Sequence, residues 1–221
     1  MAIRAFLFDF DGLILDTETP SRAGWAWLYK RHGQELPEEK WATLVGTRGA
    51  DWDPMDHLEE LVGEPIEREI LNEERYAHEI TLIAAEKLRP GIADYLAEAK
   101  RRGLKCAIVS SSSREWIHLN LARLEREVGW DAIVAADHDT SRAKPRPDLY
   151  LETLDLLGVD ASEAIAFEDS VNGIRAAQAA GIFCVAIPNP VTAGFALDEA
   201  DLLLNSLAEL PPEDLLSRFE R

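Results

Sequence analysis

Six short apolar runs, separated mostly by stretches of helical length, restrict this chain to very few folds. They lie at 3–8, 104–109, 132–135, 164–167, 182–187 and 202–204. Their hydrophobicity is continuous rather than alternating, as expected of strands covered on both faces in a parallel sheet. The segments 92–102, 114–128, 147–157 and 170–180 have helix-favouring composition, so strand and helix alternate as in an α/β doubly wound domain. One interval breaks the rhythm. Between Asp16 and about Leu88 only helical patterns occur, and the longest is expected to open at Pro65 with Ile66, Ile70, Ala77, Ile80 and Ala84 along one face. Arg89-Pro90-Gly91 then stops it. The reading is an α/β core at 1–15 and 89–221, with a small all-helical domain at 16–88 inserted after the first strand.

In open α/β sheets, ligands gather beyond the carboxyl ends of the strands. Those ends carry Asp9-Phe10-Asp11-Gly12 after the first run, Ser110-Ser111 after the second and Glu168-Asp169 after the fourth, while Lys144 lies in the connection following the third. Two aspartates two residues apart suit phosphoryl transfer. One carboxylate can attack phosphorus, and the other can protonate the leaving oxygen and later deprotonate water. Asp169 can join Asp9 in an all-oxygen site of the kind that suits Mg²⁺. Lys144 adds a fixed positive charge, and Ser110 offers a hydroxyl and an N–H to phosphoryl oxygens. Each residue has a plainer reading alone: a turn or cap for Asp9, a helix cap within Ser110–Ser113, a solvated charge for Lys144, acids at a helix start for Glu168-Asp169. Capping does not account for all four falling together.

The whole chain narrows the partners. It has 221 residues, and its 23 basic against 41 acidic residues give a formal net charge of −18. That surface repels nucleic acid and anionic membrane, whose binding needs clustered cations. A small phosphorylated metabolite remains compatible, because a metal and a few cations can reverse the potential inside one pocket. Cys106 and Cys184 each sit in an apolar run and read as small core residues. The apolar start is too short for a signal peptide and contains aspartates, and no run approaches a membrane span. A cytoplasmic location is the expectation.

DFDGLILDTE at 9–18, the strand ending in Ser110, AKPRPDLY at 143–150 and FEDSVNGIRAA at 167–177 resemble the four ordered motifs of the haloacid dehalogenase-like superfamily. More narrowly, they are similar to its β-phosphoglucomutase-like phosphatase branch, which carries a helical cap. The resemblance implies that Asp9 is the nucleophile and Asp11 the general acid/base, with the Asp11 main-chain carbonyl on Mg²⁺. It implies phosphate binding by Ser110, with Ser111 beside it, and an aspartyl-phosphate steadied by Lys144. Asp169 matches the metal ligand, with Glu168 as a further ligand or an acid next to one. Thr17 would orient Asp11, and Arg48, in LVGTR at 44–48, would grip a second anionic group. Where β-phosphoglucomutase has a histidine shortly after the first motif, this chain reads Thr19-Pro20-Ser21-Arg22. That departure favours a phosphatase over a sugar-phosphate mutase, the second reading. Dehalogenation would leave Asp11 without a task. A phospho-accepting signalling module and a catalytically idle binding protein are further alternatives, and the acids together with the insertion argue against both.

Overall fold

The computed structural model describes residues 2–41, 44, 52–124 and 129–219. Six strands form one sheet: β1 (Ala5–Phe8), β2 (Lys105–Ser110), β3 (Ala132–Ala135), β4 (Ala164–Glu168), β5 (Phe183–Ala186) and β6 (Leu202–Leu203). Their order is β3-β2-β1-β4-β5-β6, and every adjacent pair is parallel. The doubly wound reading therefore holds. The chain winds outward from β1 to β3, then crosses to the far side of β1 for β4, which makes β1 and β4 the place where the winding reverses. A crevice opens there above the strand ends.

Period-two geometry explains why both sheet faces are buried. Along β1, Ala5 and Leu7 face one apolar cluster, built with Leu149, Tyr150, Leu154 and Ile174. Phe6 and Phe8 face the other, with Tyr95, Ile117 and Leu215. The first cluster takes its helical side from α7 (Asp148–Leu157) and α8 (Val171–Ala179). The second uses α5 (Ile92–Arg102), α6 (Arg114–Arg123) and α9 (Pro212–Ser217). α6 is shorter than the expected 114–128; it ends at Arg123, and residues 125–128 lie outside those described.

Between β1 and α5 the described chain contains α1 (Glu18–Arg31), α2 (Glu38–Trp41), α3 (Pro54–Val62) and α4 (Arg68–Ile83), with no named strand among them. Leu28, Tyr29, Trp41, Met55 and Leu58 form a separate apolar cluster, against which Trp25, Trp27 and Trp52 pack. The four cap-region tryptophans thus serve packing. The two crossings between the helical region and the sheet run side by side: Leu15 bridges Leu88, and the Arg89 N–H donates to the Ile14 carbonyl at 3.0 Å. Arg89 also donates to the carbonyls of Gly12 and Pro188, at 2.5 and 2.6 Å.

α4 differs from its sequence reading. It opens at Arg68, not Pro65, and Ile70 is 55% exposed, whereas Glu79 and Ile83 are buried. The apolar spacing picked the wrong stripe because the inward face of α4 meets α1 around polar groups that line a cavity.

Phe167 on β4 is fully buried, stacked on Phe8 at 4.8 Å between ring centroids and edge-on to Phe6 and Tyr95. Replacing it with alanine removes this aromatic junction and leaves a cavity. Phe167→Ala is expected to lower unfolding stability by about 3–5 kcal/mol, measured as a fall in the urea midpoint at near-constant slope.

Candidate active site

The end of β1 enters the crevice still hydrogen-bonded to β4, with the Asp9 N–H donating to the Phe167 carbonyl at 3.0 Å. The chain then turns tightly at Gly12, whose φ is 78°. A Cβ there would lie 2.0 Å from Asp169 Oδ2 and 2.5 Å from Asn189 Nδ2, so both the conformation and the space demand glycine. Gly173, in the first turn of α8, has an equivalent duty towards Glu168: an added Cβ would fall 1.8 Å from Glu168 Oε2.

Asp9, Glu168 and Asp169 are all buried, and each offers a carboxylate oxygen within 4.8 Å of the others. Among the described residues the cation within this cluster is Lys144. Its ammonium donates to Asp9 Oδ1, to Glu168 Oε1 at 2.6 Å and to the Val109 carbonyl at 2.7 Å, which uses all three protons. Tyr150 adds a hydroxyl donor to Glu168 Oε1 at 2.5 Å, while Glu168 Oε2 has no hydrogen-bond partner among the described residues. Burial by itself works against the Lys144 charge, yet Asp9 and Glu168 hold its pKa above the ordinary lysine value. Burial pushes the Asp9 carboxyl well up; Lys144 opposes this, and Glu168 and Asp11 add to it. Asp169 is raised by burial and then by Asp9 and Glu168. Three crowded anions with one cation and an orphaned oxygen fit a divalent metal, which would stabilise the ionised carboxylates. Asn189, after β5, donates to Asp169 Oδ2 at 2.6 Å while its own Oδ1 accepts the Val191 and Thr192 N–H groups. Asn189 thereby fixes the orientation of Asp169.

The Asp11 side chain is not part of the acid trio. Its Oδ1 accepts from Thr17 Oγ1 at 2.9 Å and from Trp116 Nε1 at 2.8 Å, and its Oδ2 from Ser112 Oγ at 2.6 Å and Ser110 Oγ at 3.4 Å. Thr17 contacts Asp11 as the sequence reading expected. Ser113 caps α6 by accepting the Trp116 N–H, which aims that indole back at Asp11. Ser110 is buried and accepts the Ser112 N–H, whereas Ser111 Oγ accepts the main-chain N–H of Lys144 at 3.1 Å.

A cavity of about 350 Å³ rises from these groups. Asp9, Asp11, Ser110, Lys144 and Asp169 line it at the sheet, and Glu18 and Ser21 from α1 and Tyr76 and Glu79 from α4 line it from the helical region. Asp9, Asp11, Ser110, Ser111, Lys144, Glu168 and Asp169 are thus brought together, with Thr17 beside them. Arg48 lies outside the described residues. The sequence reading missed Trp116, Asn189, Glu18 and Glu79. Asn189 carried a signal as a polar residue just beyond the fifth strand, and Glu18 closes the DFDGLILDTE motif; Trp116 and Glu79 sit within helices.

The haloacid dehalogenase-like hydrolase family profile matches residues 3–181. YhcW of Bacillus subtilis (strain 168), provisionally named a phosphatase, is 40% identical over 208 residues, covering 94% of each chain. Validoxylamine A 7'-phosphate phosphatase of Streptomyces hygroscopicus subsp. limoneus is 33% identical over 204 residues, 92% of this chain and 94% of that one. The crystal structure of a point mutant of CbbY from Rhodobacter sphaeroides in complex with xylulose-(1,5)bisphosphate has a TM-score of 0.70 at 31% identity, over 94% of this chain and 96% of that one. The chain belongs to the haloacid dehalogenase-like hydrolases, and its relatives place it among the phosphatases of that family. No helix among the described residues is long and apolar enough to cross a membrane.

Withdrawal from water, together with Asp11, Asp16 and Glu79, raises the Glu18 carboxyl to about 7 from 4.5. The folded state therefore holds a proton that the unfolded state releases between these values, so stability falls as pH rises from 4.5 to about 7. Glu18→Gln is expected to flatten that decline, worth at most about 3 kcal/mol. Thermal melts in EDTA at pH 4.5 and 8 check it: the variant should gain over the parent at the higher pH.

Proposed function

We propose that this chain is a Mg²⁺-dependent phosphomonoesterase that hydrolyses a small phosphorylated metabolite, of sugar-phosphate type, through an aspartyl phosphate on Asp9. The observation that carries the reading is the Asp9 carboxylate at the cavity floor, with one oxygen on Lys144, Asp169 beside it and a second aspartate two residues away. A sugar bisphosphate sits in the CbbY structure, and the Streptomyces relative is named for a phosphate ester. Both support the substrate class.

Asp9 attacks phosphorus in line, forming an acyl-phosphate bond as the phosphorus–oxygen bond to the leaving group breaks. Asp11 gives its proton to the departing alkoxide. In the second half, Asp11 takes a proton from water, and the resulting hydroxide attacks phosphorus and releases Asp9 and inorganic phosphate. Lys144 counters the charge on Asp9 and the phosphoryl oxygens, and Ser110 and Ser111 contribute donors to the same group. Asp9, Asp169, Glu168 and the Asp11 carbonyl would hold Mg²⁺, which when bound supplies further charge neutralisation. The helical region, bounded at 16 and 88, acts as a cap that excludes bulk water when closed. The acidic surface accords with an enzyme that binds neither nucleic acid nor anionic membrane, and a cytoplasmic location is part of the proposal.

Asp9→Asn is expected to abolish Mg²⁺-dependent release of inorganic phosphate, and EDTA should do the same to the parent; a variant with near-parental turnover refutes the mechanism. With a hexose 1-phosphate, inorganic phosphate is the expected product, and an isomerised sugar phosphate would establish the mutase instead. Trp116→Phe removes one of the two donors to Asp11 Oδ1, leaving Thr17, without emptying the site. Its kcat/KM for an alkyl phosphate should fall on the order of tenfold, with little change for 4-nitrophenyl phosphate, whose leaving group needs no proton.

A further inference from the structure

Building on the divalent-metal reading of the acid trio, we infer that Arg89 is a positioning residue for the metal site. It holds the Asp169 carboxylate in place for the ion by bracing the two loops that flank it, and it does so from the crossing that returns from the helical region.

β4 lies between β1 and β5, so the loops leaving β1 and β5 stand on either side of Glu168-Asp169. Both loops reach Asp169 Oδ2. Gly12 lies so close that an added Cβ would fall 2.0 Å from that oxygen, and Asn189 donates to it at 2.6 Å. The sheet does not fix these two contacts. Backbone bonding to β4 continues to Asp9 on one side and to Ile187 on the other, short of Gly12 and of Asn189.

One guanidinium spans the gap. Arg89 Nη1 donates to the Gly12 carbonyl at 2.5 Å and, more weakly, to that of Ile187 at 3.4 Å. Nη2 donates to the carbonyl of Pro188 at 2.6 Å, and Pro188 directly precedes Asn189. The acceptors are main-chain oxygens, so the rigid fork of donors sets the spacing of the two backbones. Arg89 is itself anchored: its N–H donates to the Ile14 carbonyl at 3.0 Å, beside the Leu15–Leu88 bridge. Loosening the brace would let Gly12 and Asn189 shift and leave Asp169 free to turn. Groups that orient a metal ligand in this way typically change metal affinity by roughly 10–100-fold when removed.

The test strips the full chain of metal with EDTA, removes the chelator and titrates Mg²⁺ by calorimetry. Arg89→Lys keeps the positive charge but has no planar fork to hold two loops at once. Its Kd for Mg²⁺ should rise on the order of tenfold, while kcat for 4-nitrophenyl phosphate recovers most of the parental value at saturating Mg²⁺. Asn189→Ala should weaken Mg²⁺ similarly, and the double variant should lose less than the product of the two effects. Thermal melts in EDTA check folding, and Arg89→Gln, with a single amide donor group, replaces the lysine variant if that one does not fold. A parental Kd in the folded Arg89 variant overturns the inference, as do effects that simply multiply in the double variant. A lower melting temperature with an unmoved Kd would show a purely structural brace and overturn it too. Absence of saturable Mg²⁺ binding by the parent would bring down the metal reading itself.

Discussion

Three carboxylates buried around a single lysine are the constraint on which the site depends. Asp9, Glu168 and Asp169 are each under a tenth exposed, and Lys144 is equally withdrawn. Removing such groups from water costs several kcal/mol per ion unless partners compensate. Much of the surrounding structure supplies those partners. Tyr150 reaches up from α7 to Glu168, Asn189 holds Asp169, and the β2 carbonyl of Val109 takes the third lysine proton. The net charge of the cluster remains negative, and that imbalance makes the floor receptive to a cation and a phosphoryl group together.

The sheet order explains why these residues meet. β1 lies between β2 and β4, so the loops carrying Asp9, Ser110 and Asp169 leave the sheet as immediate neighbours. Gly12 and Gly173 then remove the two Cβ atoms that would collide with Asp169 and Glu168. The missing side chains at these two points leave room for acids that are far apart in sequence.

Asp11 joins the core to the helical region. It is reached by Thr17 at the start of α1 and by Trp116 and Ser112 from the loop and helix after β2. A movement of α1 relative to the sheet would change the donors on the Asp11 carboxylate. The paired crossings at Leu15 and Leu88, tied by Arg89, give such a movement a narrow pivot.

The strands, their burial on both faces and the floor of the site were legible in the sequence because each is a local signal. Continuous apolar runs end in Asp9, Ser110 and Glu168-Asp169, and these ends need only a parallel sheet to converge. The wall of the cavity was not legible. Glu18 and Glu79 are ordinary acids in amphipathic helices, and the apolar stripe expected along α4 is turned to solvent at Ile70. Trp116 reads as packing until α6 is placed beside Asp11. A strand end fixes its own direction through the ladder, whereas the rotation of a helix about its axis is set by what it packs against. The sequence alone therefore determined the chemistry of the floor; only the tertiary structure decided which side chains look down upon it.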